Sequence, residues 1–323
     1  MGNINVTHMS KALILAEISR FLASGRIFCT PEARQEFLAE LFLAEKHGFF
    51  FDEMPTYQEL TQKVAKKIAE ESNIPLTVDY TDADLESEAI AYYRIKGMIM
   101  GESNWWFSSK QFVEDVQAAE ANPMIMAHFL HVNSGGGDTW YLDVAWQTLM
   151  NAVKPSVTVI ERVGGSAAVY LFSPSKKSYA ATQNEVIGSI GTMVSFLDFI
   201  PYYEAQGVKK IEEYAHKSDL KNKKFNDLIN GNPKQFITEE LDPLQQQFEA
   251  AVRKARPKAG ALPEDHPLFR GETFATAQAT DLGLIDGQKS LKEALNEAYQ
   301  LGQTYLGKQR EKNKALNFIN NHF

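Results

Sequence analysis

The residues best placed for chemistry lie in the segment Arg162-Val163-Gly164-Gly165-Ser166-Ala167-Ala168-Val169-Tyr170. The β-branched run Ser156-Val157-Thr158-Val159-Ile160 before it reads as a buried strand. Small and apolar residues follow Ser166 with no turn signal until Pro174, as in a short buried helix. A serine on such a strand–Gly-Gly–helix corner meets free N–H groups and a dipole that favour developing negative charge, the setting of a nucleophile. The same residues also fit a helix N-cap serine beside a glycine turn. On this stretch alone both readings stand.

A second loop, Asn133-Ser134-Gly135-Gly136-Gly137-Asp138, falls between a buried strand and a helix. Its three glycines let backbone N–H groups face a ligand without obstruction by Cβ, as an oxyanion hole requires, although a tight turn would use them equally. It is not a P-loop, because no Gly-Lys-Ser/Thr follows, and the G-x-G-x-x-G spacing of a dinucleotide fingerprint is absent. A serine nucleophile also needs a base. None of the seven histidines, His8, His47, His128, His131, His216, His266 and His322, falls in a triad motif, and His128 and His131 read as satisfied core histidines on a buried strand. A lysine base must be neutral, so burial has to lower its pKa from ~10.4 towards ~7–8, at a cost on the order of 3–4 kcal/mol. Most lysines here sit in solvated runs. Lys217, directly after a run read as a strand over 209–214, is placed differently.

The elements that would position these residues alternate. Strand over 90–100, helix from a Ser108–Gln111 cap, strand over 124–132, glycine loop, helix over 139–153 burying Leu142, Trp146 and Leu149, then the strand before Ser166 form a β–α–β–α order. That order predicts a parallel sheet with its glycine loops at the strand C-terminal ends, where α/β sites lie. Beyond Ser166 we expect a strand within 186–196, a helix over 198–206, a solvated loop over 221–233 and a long helix over 238–256. A short helix and strand over 274–286 and a last helix capped by Ser290 and Glu293 complete the order. Residues 11–85 read as a separate helical region. Thr30-Pro31 starts one helix with a Phe37, Leu38, Leu41, Phe42 stripe, and a Thr56–Glu59 capping box starts another with Leu60, Val64 and Ile68 on one face. The acidic stretch 79–88 reads as an exposed linker, and the polar tail from Lys308 as loose.

The bulk properties fit a soluble globular protein. Of 323 residues, 44% are hydrophobic and 23% charged. A net charge of −8 argues against non-specific nucleic-acid binding. The single Cys29 cannot form an internal disulfide, no apolar run is long enough for a membrane span, and Glu17 ends the N-terminal apolar run too early for a secretory leader. A cytoplasmic protein with no cofactor and no metal is the expectation.

Five segments, in order, resemble the signal peptide peptidase/protease IV family of Ser-Lys serine peptidases, distant relatives of Clp protease and crotonases. Val132-Asn133-Ser134-Gly135-Gly136-Gly137 resembles the family's Asn-Ser-Pro-Gly-Gly loop, and Val163–Tyr170 its Ala-Ala-Ser-Gly-Gly-Tyr-Tyr nucleophile segment. Gly188-Ser189-Ile190-Gly191 is identical to its Gly-Ser-Ile-Gly signature, and Ala215-His216-Lys217 is similar to the segment carrying its base, 51 residues after Ser166. Residues 271–286 resemble its closing segment. Gly135 stands where the family has proline. Gly164 and Gly165 replace alanines, and Ala167 and Ala168 replace glycines, none of which removes a functional group.

The resemblance implies a crotonase/Clp-like α/β core of stacked βαβ units over 88–300, with a helical extension over 1–87 and a polar tail over 301–323. It implies that Ser166 is the nucleophile, Lys217 the base and Ser189 the residue orienting the lysine. The N–H groups of Gly137 and Ala167, with Gly136 beside them, would hold the oxyanion. It further implies a homo-oligomeric ring with each dyad shared between subunits, a peptide or unfolded protein substrate, and a rate that rises through alkaline pH. Aromatic residues flanking Lys217, namely Tyr202, Tyr203, Phe225 and Phe236, fit either such an interface or the chain's own core. Two settings follow, capsid or scaffold processing by a phage-type member and signal-peptide degradation. Crotonase-type acyl-CoA chemistry and an inactive assembly subunit are the rival readings.

Overall fold

A computed structural model describes residues 27–29, 55–82, 85–195 and 200–322; the expected helix with the Phe37–Phe42 stripe lies outside them. The order begins β1 (Ile27–Cys29), α1 (Tyr57–Ser72), β2 (Leu76–Thr77), β3 (Ala89–Lys96), β4 (Ile99–Met100), β5 (Phe107–Ser108) and α2 (Ser109–Ala121). It continues through β6 (Ile125–Ser134), β7 (Gly136–Asp138), α3 (Leu142–Met150), β8 (Ser156–Gly165), α4 (Ala167–Phe172), β9 (Lys177–Ala180) and β10 (Val186–Gly188). Helices α5 (Ile200–Ala205), α6 (Lys223–Ile229), α7 (Lys234–Phe236), α8 (Asp242–Ala255) and α9 (Pro257–Gly260) precede β11 (Thr273–Ala275), α10 (Thr276–Asp281), β12 (Gly287–Gln288) and α11 (Leu291–His322).

The expected α/β architecture with a parallel sheet is found. Strands β2, β3, β6, β8 and β10 run parallel side by side, and only β11 is antiparallel, on β10. The sheet forks at β8: Val157–Ile160 pair with β9, whereas Val163–Gly165 pair with β10. Continuous burial of β3, β6 and the first half of β8 follows from cover on both faces. Side-chain alternation sends Tyr93, Leu130 and Ile160 to one face, with Phe112, Val116, Leu149, Phe248 and Val252 of α2, α3 and α8. Tyr92, Phe129, Val157 and Val159 go to the other, under Ala65 and Ile68 of α1 and Ala294, Leu295 and Ala298 of α11. A Cβ on Gly302 would stand 2.7 Å from Met126 Cγ and 3.0 Å from its Sδ, so the helix lies this close to the sheet only with glycine there. A smaller sheet, ordered β1-β7-β4-β5, carries the triple-glycine loop into β7.

Local signals fixed several boundaries as expected. Thr56 and Glu59 form a capping box at α1, Ser108 accepts from the Gln111 N–H at α2, and Ser290 and Glu293 cap α11. Other expectations need correction. Residues 209–214 form no strand; 204–217 are exposed throughout and lack regular structure over 208–215. The stretch 221–233 contains α6 rather than only loop, and the long helix opens with a π turn, Ile237–Leu241. The stretch 79–88 is not simply an exposed linker, since Tyr80 is buried against Tyr93 and donates to the Tyr92 carbonyl at 2.7 Å. The tail from Lys308 continues α11 to His322, with 311–320 exposed.

Candidate active site

Strand pairing gathers four of the five motif segments at one corner, the closing segment joining through Thr273 opposite Gly188. Register places Ser134 of β6 opposite Gly164 of β8, and Gly188 of β10 opposite Gly165. Ser166 follows at the turn between β8 and α4 with φ 54° and ψ −119°, a conformation that glycine takes readily and other residues only under strain, on the order of 1–3 kcal/mol. Two bonds hold it there: its N–H donates to the Gly188 carbonyl at 2.8 Å, and its carbonyl accepts from the Tyr170 N–H at 3.2 Å. Its Oγ is buried and has no hydrogen-bond partner among the described residues. A buried hydroxyl without a partner costs about 1–3 kcal/mol, so the corner holds both a strained backbone and an unmet polar group.

The glycine loop is built by close approach. A Cβ on Gly137 would stand 1.9 Å from the Ile99 carbonyl oxygen, so β7 can lie against β4 only with glycine there. Gly136 has φ 106°, and its N–H donates to Ser134 Oγ at 3.1 Å, while that hydroxyl donates to the Gly97 carbonyl at 2.6 Å. Ser134 thus ties the loop to the end of β3, a positioning role that only a recognised loop motif could have suggested. Gly136 is thereby occupied, which leaves Gly137 and Ala167 as the other expected donors.

The Gly188–Gly191 segment lies along residues 271–273. Ser189, with φ 55°, is half-buried and donates its N–H to the Glu272 carbonyl at 2.7 Å. A Cβ on Gly191 would come within 3.2 Å of Gly271 Cα. Gln245 of α8, missed in the sequence because nothing local marks it, accepts from the Thr192 N–H at 2.9 Å and donates to the Phe269 carbonyl at 3.0 Å. Asp286 accepts from the Ser178 N–H, Lys177 and the buried Arg256 at 2.9–3.0 Å, namely 2.9, 3.0 and 3.0 Å. Burial alone would raise this carboxyl, but those donors hold it below the usual range.

The base is the residue that the fold does not bring in. Lys217 is exposed and makes no hydrogen bond or ion pair among the described residues, and Ser166 Oγ touches neither it nor Ser189. The two histidines of β6 offer no substitute. His128 is buried between Tyr93 and Glu120 at 3.0 and 2.7 Å, and burial lowers its pKa; His131 is bonded to Tyr92 and Glu161 at 2.7 and 2.6 Å. One lysine is lowered, to about 8, by burial: Lys154, whose Nζ donates to the Ala119 and Asn122 carbonyls. It precedes β8 whereas Ser166 follows it, a strand length on the order of 30 Å. Lys154 is a structural lysine.

Of the aromatic residues near Lys217, Phe236 is buried in its own chain and Phe225 is exposed; the side chains of Tyr202 and Tyr203 lie outside the described residues. Val208, Ile211 and Leu220 are also exposed, Ile211 at 82% and Leu220 at 73%. No group of three or more metal-ligating side chains occurs among the described residues, and no helix there is long and apolar enough to cross a membrane.

Comparison with known proteins bears on this corner. Residues 148–304 match the model of peptidase family S49. Over 219 residues the chain is 28% identical to Protease 4 of Haemophilus influenzae, covering 66% of this chain and 34% of that protein. The chain spans about a third of the length of this curated relative. Solved structures similar to it include a membrane-bound stomatin-specific protease with a substrate peptide, at 15% identity, 66% and 81% coverage and a TM-score of 0.41. An enoyl-CoA hydratase from Polaromonas sp. JS666 matches at 17% identity, 62% and 67% coverage and a TM-score of 0.36. The resemblance to the signal peptide peptidase/protease IV family is therefore met by independent matches, of residues 148–304 to the peptidase S49 model and of 219 residues to Protease 4.

Proposed function

We propose that residues 148–304 form a peptidase S49 domain and that the protein is a serine endopeptidase working through a Ser166–Lys217 dyad. The observation that carries the reading is Ser166 itself, a buried, unpartnered hydroxyl on a strained turn beside two glycine segments. In this reading Ser166 Oγ attacks the scissile carbonyl while Lys217, entering neutral, takes its proton and passes it to the leaving amine. Ser189 orients the lysine. The N–H groups of Gly137 and Ala167 hold the oxyanion, and water then releases the acyl group by the same route in reverse.

The lysine is supplied by a second copy of the chain in a ring. Two features support this: Ser166 Oγ has no partner among the described residues, and Lys217 sits on an exposed segment with bare apolar side chains at Val208, Ile211 and Leu220. Peptides or unfolded proteins are the substrates. Processing of capsid or scaffold proteins is the setting we propose; it rests on the resemblance alone, with signal-peptide degradation as its rival, and portal and capsid genes beside this one would decide between them. A fluorophosphonate probe tests the chemistry. Labelling of wild type that is lost in Ser166→Ala supports a working nucleophile, whereas no labelling of the assembled protein would point to an inactive assembly subunit.

A further inference from the structure

A cavity of about 450 Å³ opens between α1, β3, β5 and α2, and none of Ser166, Ser189, Gly137 or Lys217 lines it. Its size falls in the range of small-ligand sites. Its inner wall is aromatic: Tyr80 stacks on Tyr93 with centroids 5.0 Å apart, and Phe112 meets Tyr93 edge-on at 5.1 Å. These three rings are buried, whereas Trp105 and Trp106 are half-buried and line the same space. One carboxyl lines the cavity, that of Asp115. It takes a single hydrogen bond among the described residues, from Gln111 Nε2 to Oδ1 at 2.9 Å, which leaves Oδ2 without one. The Arg94 guanidinium also lines the cavity and is held over the Tyr57 ring, 5.4 Å from its centroid.

Aromatic faces are electron-rich, and a half-satisfied carboxylate among them attracts a cation. A neutral apolar guest would bury the free oxygen of Asp115 without a partner. We propose that this cavity binds the basic side chain, lysine ammonium or arginine guanidinium, of a polypeptide segment, at a place apart from the Ser166 corner. The choice of a polypeptide as bearer rests on the peptidase reading; the choice of a cation does not. Two observations favour a polypeptide over a free amine. Gln58 and Asn104 line the same space with side-chain amides able to bond a peptide backbone. The cavity residue Phe107 also pairs with Ile99, which pairs with Gly137, so a segment held here lies on the same small sheet as the glycine loop.

Burial, with a smaller push from Glu114, raises the Asp115 carboxyl to about 6. The other groups facing this space are the hydroxyls of Tyr57, Tyr80 and Tyr93 and the Arg94 guanidinium; the nearby Lys110–Glu102 pair is exposed. Burial raises the three tyrosine hydroxyls, which stay neutral between pH 5 and 7.5. Binding of the cation therefore strengthens about tenfold from pH 5 to 7.5, as Asp115 ionises.

The test uses the Ser166→Ala chain, so that the peptide stays uncut, and calorimetry with Ac-Ala-Ala-Lys-Ala-Ala-amide. The same peptide with norleucine for lysine should bind about tenfold more weakly, and Asp115→Asn should erase that difference. Equal binding of the two peptides, an unchanged difference in Asp115→Asn, or no binding of the lysine peptide would each overturn the proposal. Binding of n-butylamine as tight as the peptide would overturn the polypeptide part. Should Asp115→Asn not fold, Trp105→Ala must weaken the lysine peptide about fivefold for the aromatic wall to stand. A protein that never labels at Ser166 yet discriminates lysine from norleucine would sink the peptidase reading and leave the cation site.

Discussion

The corner around Ser166 and the segment around Lys217 are built in opposite ways. At the corner every backbone feature has a cause within the chain: Gly188 holds the Ser166 N–H, Ser134 holds Gly136, and Ile99 leaves room only for glycine at 137. Around Lys217 the chain supplies almost nothing, and 204–217 are exposed without a break. Ser166 is 0% exposed and Ile211 82%. On the proposed dyad the nucleophile is held by its own chain and the base is not, so the proposal requires something outside the chain to order the second half.

The sharpest test of this contrast removes each half in turn. Ser166→Ala and Lys217→Ala should each lower peptide hydrolysis by roughly 10⁴-fold or more, since members of one nucleophile–base unit fail together. A Lys217→Ala chain that kept more than a tenth of the activity would break the pairing, with His216 next to be examined. Mixing the two inactive chains should then restore part of the activity on co-assembly. Activity that stayed absent at every ratio would place both halves within one chain. Next in size is Gly137→Ala, whose Cβ meets backbone rather than a movable side chain. We expect a loss of about 3 kcal/mol, read as a Tm lower by roughly 6–10 °C, with hydrolysis down about 10²-fold or more.

Smaller effects should separate the regions by sign. Ser166→Ala removes a buried hydroxyl without a partner and should raise stability by about 1 kcal/mol, measured by denaturant unfolding. A destabilised variant would mean that Oγ is satisfied in solution. Ile211→Ser, on the exposed segment, should change monomer stability by under about 0.5 kcal/mol yet reduce the assembled fraction in sedimentation. Asp286 gives the pH limb: its lowered pKa means that its contribution is present above the unfolded carboxyl value and lost as pH falls through the folded one. Asp286→Asn should flatten the acid loss of stability below about pH 4.

Legibility in the sequence follows the same division. The corner was readable because much of it is written locally: a β-branched run, paired glycines and a small-residue helix. The helix beyond Lys308 was misread as loose, although it is rich in helix formers and only extends a helix already nucleated against the sheet. Residues 209–214 carry the composition of a strand without any strand to pair with, so periodicity alone misled. Tyr80 was hidden in an acidic stretch because its burial depends on Tyr93, and Gln245 was invisible because its partners, Thr192 and Phe269, lie 53 and 24 residues away.

The long helix α11 also sets a timetable. It closes the sheet face that carries Met126, Phe129, Val157 and Val159, and its Gln303 reaches Met126 across 177 residues of chain. A ribosome adding roughly 5–20 residues per second needs on the order of 10–35 s to make that stretch. During this interval β6 and then β8 wait with one apolar face bare, a window in which a chaperone, or the same face of a neighbouring nascent chain, competes with α11 for the sheet.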